Sequence, residues 1–209
     1  MARPGRDKLS AKPGPKDRDT RLFRFKRIPA RFLLPNIVTL LALCAGVTAI
    51  RLGVEGRFEL AVAAVIVAIV LDAVDGRLAR FLKGTTKFGA ELDSLADFVN
   101  FGVAPAVLIY IWSLQELRNL GWVVALTLAV CCALRLARFN VSIEDPDKPA
   151  WESGYFTGVP APAGAGLALA PFYLGFLGII PDGRAAAPAG LVYIARVAVA
   201  LVARVPTYS

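Results

Sequence analysis

The 209 residues contain no histidine. That excludes imidazole acid–base chemistry and every histidine metal site. Cysteine is scarce, with three in all, Cys44, Cys131 and Cys132, each inside an apolar stretch. No CxxC pair and no disulfide framework can be drawn from them. They are expected to behave as small buried hydrophobes. Any metal bound here must therefore be held by oxygen. Acidic residues are outnumbered, 16 against 24 Lys and Arg, for a formal net charge of +8. No internal repeat and no second domain are visible. The first apolar run, from about Phe32, is not followed by a small-residue cleavage site, so a cleaved signal peptide is not expected.

What the chain does have is apolar residues, at 56% of the total. Soluble domains sit nearer about 45–50%, and the mean hydropathy here is +0.58. The excess is gathered into six runs, near 33–52, 58–82, 90–114, 119–139, 158–180 and 186–204. Each is close to the roughly 20 residues that cross a bilayer as a helix. The expected fold is all-α, a polytopic membrane bundle of six transmembrane helices. Residues 1–31 form a basic segment, disordered to interfacial, and residues 32–209 form the membrane domain.

Eleven of the 24 basic residues fall within the first 31. Such charge suits nucleic acid, but beside a membrane helix it fits anionic lipid on the cytoplasmic side, so no nucleic-acid partner is expected. Leu22, Phe23, Phe25 and Ile28 interleave with Arg and Lys there, a pattern that suits the membrane surface. With a cytoplasmic N-terminus, Lys83, Lys87, Arg135, Arg138 and Arg204 share that side. Arg57, Arg118 and Arg184 fall on the other.

Four carboxylates interrupt the apolar pattern. Asp72 and Asp75 lie in the second run, and Asp93 and Asp97 in the third. Acids within membrane helices are costly and mark functional sites by default. At 100° per residue, Asp72, Asp75, Gly76 and Ala79 share an arc of about 100°. Asp93 and Asp97 are i and i+4 on one face, continued by Asn100. A short loop makes the two helices antiparallel neighbours, so their acidic faces can meet. Carboxylates gathered this way repel unless protons or cations intervene. Hard divalent ions with oxygen ligands, Mg²⁺ or Mn²⁺, answer that need and suit phosphoryl chemistry. Two plainer accounts are a salt-bridged seam, with Arg77 and Arg80 pairing the acids, and a proton or cation pathway in a transporter. Gly76, Ala79 and Gly89 allow close approach of a helix or a ligand.

Together these residues read Asp-x-x-Asp-Gly-x-x-Ala-Arg-x8-Gly-x3-Asp-x3-Asp, from Asp72 through Asp97. This resembles the signature of the CDP-alcohol phosphatidyltransferase family at every position. The resemblance implies a bundle of six core membrane helices, a homodimer and a two-metal site. It implies displacement of CMP from a CDP-linked lipid by an alcohol. By motif position, Asp72, Asp75, Asp93 and Asp97 would be the metal ligands, with Asp97 also the general base. Gly76, Ala79, Arg80 and Gly89 would shape the site for the CDP moiety.

Further stretches are similar to the membrane-embedded phosphatidylserine synthases within that family. They are Leu34-Pro35-Asn36, Asn100 through Pro105, Arg135-Leu136-Ala137-Arg138-Phe139-Asn140, and Gly158 through Pro162. The expected substrates are then CDP-diacylglycerol and L-serine. Many relatives continue with further membrane helices past the Arg204–Ser209 stretch, so this chain reads as a short natural form or a truncated one. Arg135 and Arg138, three apart at the end of the fourth run, suit a carboxylate or a lipid phosphate, since the guanidinium fork matches oxyanions. Ordinary snorkelling anchors are the plainer account. Asn140 is placed to add a polar contact. Arg196 lies mid-run with no assigned role. The rivals are the same chemistry on glycerol 3-phosphate or an inositol phosphate, and a non-enzymatic transporter or scaffold.

Overall fold

The first helix, α1 (Ala30–Val54), opens a computed structural model that describes residues 30–82, 86–144, 155–157, 159–180, 184–185, 187–203 and 206–208. The basic segment expected before residue 30, and Lys83 and Arg204, lie outside the described residues. Three residues then turn the chain back. Gly56 takes φ +77°, a left-handed conformation open to glycine. Glu55 bridges Arg51 at 2.8 Å and Arg57 at 3.8 Å at this end. The returning helix α2 (Phe58–Phe81) packs along α1. It buries Ala61, Val65, Ala68 and Asp75 on one stripe, so the acids continue the face that packs inward.

The third rod is not one regular helix. It starts as α3 (Lys87–Asp97), where the Gly89 N–H donates to the side chain of Thr86 at 2.9 Å and so caps the first turn. A π-helical turn follows at Phe98–Val103, and the rod resumes as α4 (Ala104–Trp112). The Ala104 N–H donates to the Val99 carbonyl, five residues back. Pro105 has no N–H to continue an α-helical ladder there. A 3₁₀ turn, Leu114–Leu117, leads into α5 (Arg118–Glu144). Gly121 lies so close to the Leu114 carbonyl that a Cβ would collide with it.

Two shorter helices complete the bundle, α6 (Ala161–Phe176) and α7 (Ala187–Val202). Gly164 lets Leu201 pack against the α6 backbone. Pro171 cannot donate to the Leu167 carbonyl, and the Tyr193 hydroxyl of α7 donates to it instead at 2.8 Å. The centre is filled by Phe101, Leu108, Ile109, Leu128, Phe172 and Ile194, all fully buried. Large aliphatic side chains such as Leu41, Val47, Val70, Val123 and Val199 point outward. A surface of this kind suits lipid as the surrounding solvent.

The fold is helical, with rods close to the six apolar runs. Among the described residues, Leu33–Val54, Lys87–Trp112 and Leu114–Ser142 are long and apolar enough to cross a membrane. Helix α2 carries too many charges to count by that measure, and α6 and α7 have 16 residues each, about 24 Å at 1.5 Å per residue. Three details differ from expectation. The fourth rod runs on to Glu144, so Asn140 lies within a helix and not in the following connection. The π turn was not expected. Two three-residue strands, β1 (Tyr155–Thr157) and β2 (Pro206–Tyr208), pair antiparallel with Phe156 opposite Thr207.

Candidate active site

The acidic faces of α2 and α3 do meet. Carboxylate oxygens of Asp72, Asp75 and Asp93 all lie within 4.8 Å of one another. Asp75 is buried, at 3% exposure, and the others are half-buried. Asp97, one turn past Asp93, has its carboxyl against that of Asp72. Both oxygens of Asp75 and Oδ1 of Asp97 have no hydrogen-bond partner among the described residues. Buried oxygens left this way are costly unless a cation or proton serves them.

The salt-bridged seam is absent among the described residues. The Arg80 guanidinium donates back to the Gly76 carbonyl at 3.0 Å, on an exposed surface. The ion pairs there are confined to the opposite end of the bundle: the two at Glu55 and Arg184 with Glu116 at 3.6 Å. Among the described residues the acids thus gather without a salt bridge to any of them. All the donors are hard oxygens with no nitrogen or sulfur among them, which is the ligand set that suits Mg²⁺ or Mn²⁺. The cluster fits a divalent metal ion.

The two glycines differ. Beside Gly76 a Cβ would meet nothing within 4 Å, so this side of α2 borders open space next to the acids. At Gly89 a Cβ would sit 2.9 Å from Asn36 Oδ1 and 3.1 Å from Thr86 Oγ1. Gly89 therefore serves the approach of α3 to α1. Ala79 is half-buried on the Gly76 face.

The two arginines of α5 also part company. Arg138 is exposed and donates to the Val202 carbonyl at 3.0 Å, satisfying an orphan acceptor at the end of α7. Arg135 is half-buried and within electrostatic reach of Cys132 and Asp97, and its buried Nε has no partner among the described residues. The Asn140 amide donates to the Ser94 hydroxyl at 2.9 Å, next to Asp93 in sequence. Asn140 therefore ties α5 to the acidic helix. Arg196 is exposed on α7. Two further residues were given no role in the sequence reading. Thr39 lies beside Asp75, and only the packing of α1 on α2 reveals it. Asn100 is buried to 1% with both amide atoms unpartnered among the described residues. Its place on the acidic stripe was the available signal.

Two neighbouring helices of the bundle thus bring three of the four motif aspartates together, with the fourth against Asp72. Residues 32–203 match the family described as CDP-alcohol phosphatidyltransferase, and the chain belongs to that family. It is 48% identical over 133 residues to a CDP-diacylglycerol–serine O-phosphatidyltransferase of Mycobacterium tuberculosis strain H37Rv, covering 64% of this chain and 46% of that protein. A protein of the same description from Helicobacter pylori strain J99 is 37% identical over 134 residues, covering 64% of this chain and 54% of that one. An archaetidylserine synthase of Methanothermobacter thermautotrophicus is 33% identical over 151 residues, 71% of this chain and 61% of the relative. The chain thus spans about half the length of the curated bacterial relatives named here.

Proposed function

We propose that the protein transfers the phosphatidyl group of CDP-diacylglycerol to L-serine, releasing CMP and forming phosphatidylserine. The observation that carries this is the eight-position motif with three of its four carboxylates converged within 4.8 Å. Serine as acceptor is supported by the relatives, whose descriptions name serine lipids. Asp72, Asp75, Asp93 and Asp97 would hold the divalent cations, two per site. Those ions, when bound, neutralise the diphosphate and stabilise the leaving group.

The residues then divide the work. Asp97 accepts the proton of the serine hydroxyl. The freed oxygen forms a bond to the lipid-side phosphorus, and the bond to CMP breaks, with CMP taking the electron pair. Direct displacement of this kind depends on position and electrostatics. Gly76 and Ala79 leave room for the CDP moiety, and Arg80 lies at its rim. Arg135 would bind the acceptor carboxylate, a reading supported by its half-buried position within electrostatic reach of Asp97. Arg138 and Asn140 have protein partners and hold α5 in place.

Six membrane spans, with the N-terminus and the site on the cytoplasmic side, are proposed, supported by the six rods and the positive-inside bias. A homodimer follows from the family resemblance alone. The test is CMP release by purified protein from CDP-diacylglycerol with L-serine, glycerol 3-phosphate or inositol phosphate. Serine should be the working acceptor. Activity should vanish in excess EDTA and return with Mg²⁺ or Mn²⁺. Release with glycerol 3-phosphate but not serine would move the protein to another branch of the family. Full turnover without metal would overturn the metal site.

A further inference from the structure

Helix α1 carries none of the motif acids, yet it packs against both helices that do. Two contacts set its register on the third rod. Asn36 Oδ1 stands 2.9 Å from where a Cβ of Gly89 would be, and Gly46 gives room to Asn100 Oδ1. From Asn36 to Gly46 is ten residues, and from Gly89 to Asn100 is eleven. The two rods therefore run parallel with little offset. Thr39, three residues after Asn36, falls at the depth of Leu92 and Asp93.

Thr39 also meets α2 at that depth. It is 5% exposed and lies within hydrogen-bonding reach of the Asp75 carboxylate. Its hydroxyl donates instead to the Pro35 carbonyl, at 3.1 Å. In α1 that carbonyl is also the i−4 acceptor of the Thr39 N–H, so it keeps a partner when the hydroxyl turns away. A helical threonine divides between two χ1 rotamers, which makes the turn accessible. Both oxygens of Asp75, by contrast, have no hydrogen-bond partner among the described residues. One hydroxyl proton thus faces an acceptor that can spare it and a buried acceptor that lacks any.

Carboxylates that ligate a metal are themselves held by hydrogen bonds from neighbouring groups. We propose that Thr39 is a positioning residue of the metal site, its hydroxyl turning to donate to one oxygen of Asp75 while the other oxygen faces the cation. This rests on the metal-site reading and names the group that holds one of its ligands in place. Valine at this position would have much the same shape and no proton to give.

The experiment uses full-length protein in detergent, stripped of metal and titrated with Mn²⁺, with the free ion followed by its EPR signal. Thr39→Val should weaken Mn²⁺ binding about 10–100-fold, as loss of an outer-shell partner does, while Thr39→Ser should stay within about threefold of wild type. At equal Mn²⁺ concentration, the rise in melting temperature should be smaller for Thr39→Val than for the other two. Without metal, Thr39→Val should melt close to wild type, because it loses only a bond to a carbonyl that has another partner. If Thr39→Val does not fold, Thr39→Ala takes its place in the titration, and failure of both to fold would overturn the inference. Equal Mn²⁺ affinity in wild type and Thr39→Val would also overturn it. So would a Thr39→Ser as weak as Thr39→Val, or a metal-free Thr39→Val that melts well below wild type, since either makes the side chain a packing element. If wild type itself binds no Mn²⁺, the metal-site reading falls and the inference with it.

Discussion

At the scale of single residues, the site separates groups that look alike in sequence. Asp97 stands apart from the other three carboxylates. It has its carboxyl against Asp72, while Asp72, Asp75 and Asp93 make the tight cluster. Asp97→Asn would remove the proposed base and a proposed ligand together. CMP release should fall by more than the roughly 10²–10⁴-fold assigned to acid–base catalysis, with the melting temperature near that of wild type. Near-normal turnover would transfer the base to another residue. The glycines give a paired test. Gly89→Ala pushes a Cβ onto Asn36 and Thr86 and should cost about 1–3 kcal/mol of stability. Gly76→Ala meets open space and should gain about 0.5–1 kcal/mol of helix stability. It should nevertheless raise the KM for CDP-diacylglycerol. Thermal melting and steady-state kinetics on the two variants check both halves.

At the scale of elements, α5 has two roles three residues apart. Its Arg138 reaches the last turn of α7, and its Arg135 is half-buried within electrostatic reach of Asp97. Arg138→Ala should therefore lower stability by about 1 kcal/mol and leave the KM for serine unchanged. Arg135→Lys keeps a charge but loses the fork that aligns a carboxylate. It should raise the KM for serine more than that for CDP-diacylglycerol. A rise confined to the lipid substrate would assign Arg135 to lipid phosphate. The rods themselves were legible from apolar runs, because a stretch of about 20 apolar residues has few other solutions. The π turn was not. It depends on Pro105 withholding an N–H and on how the Phe98–Val103 turn packs against α1 and α5, and neither fact has a period that shows in one strand of sequence.

At the scale of the molecule, the alternating passage of the rods is testable. After Cys44, Cys131 and Cys132 are replaced by Ala, single cysteines at Gly56, just before α2, and at Phe88, in the first turn of α3, occupy exposed positions. In sealed vesicles of known orientation they should react with an impermeant thiol reagent from opposite faces, with Phe88→Cys labelled from the cytoplasmic one. Labelling of both from one face would overturn the proposed topology. The sequence by itself determined the helical class, the positions of the rods and the aspartates that cluster between them. Those are properties of local composition and of spacing along a helix, where 3.6 residues per turn puts Asp93 and Asp97 on one face whatever surrounds them. Only the tertiary structure decided which of two neighbouring arginines is half-buried and which exposed, which of two glycines borders open space, and that Asn100 is enclosed without a partner among the described residues. Those outcomes depend on what the neighbouring helix brings to the same depth, and helix registers are set by packing between distant segments.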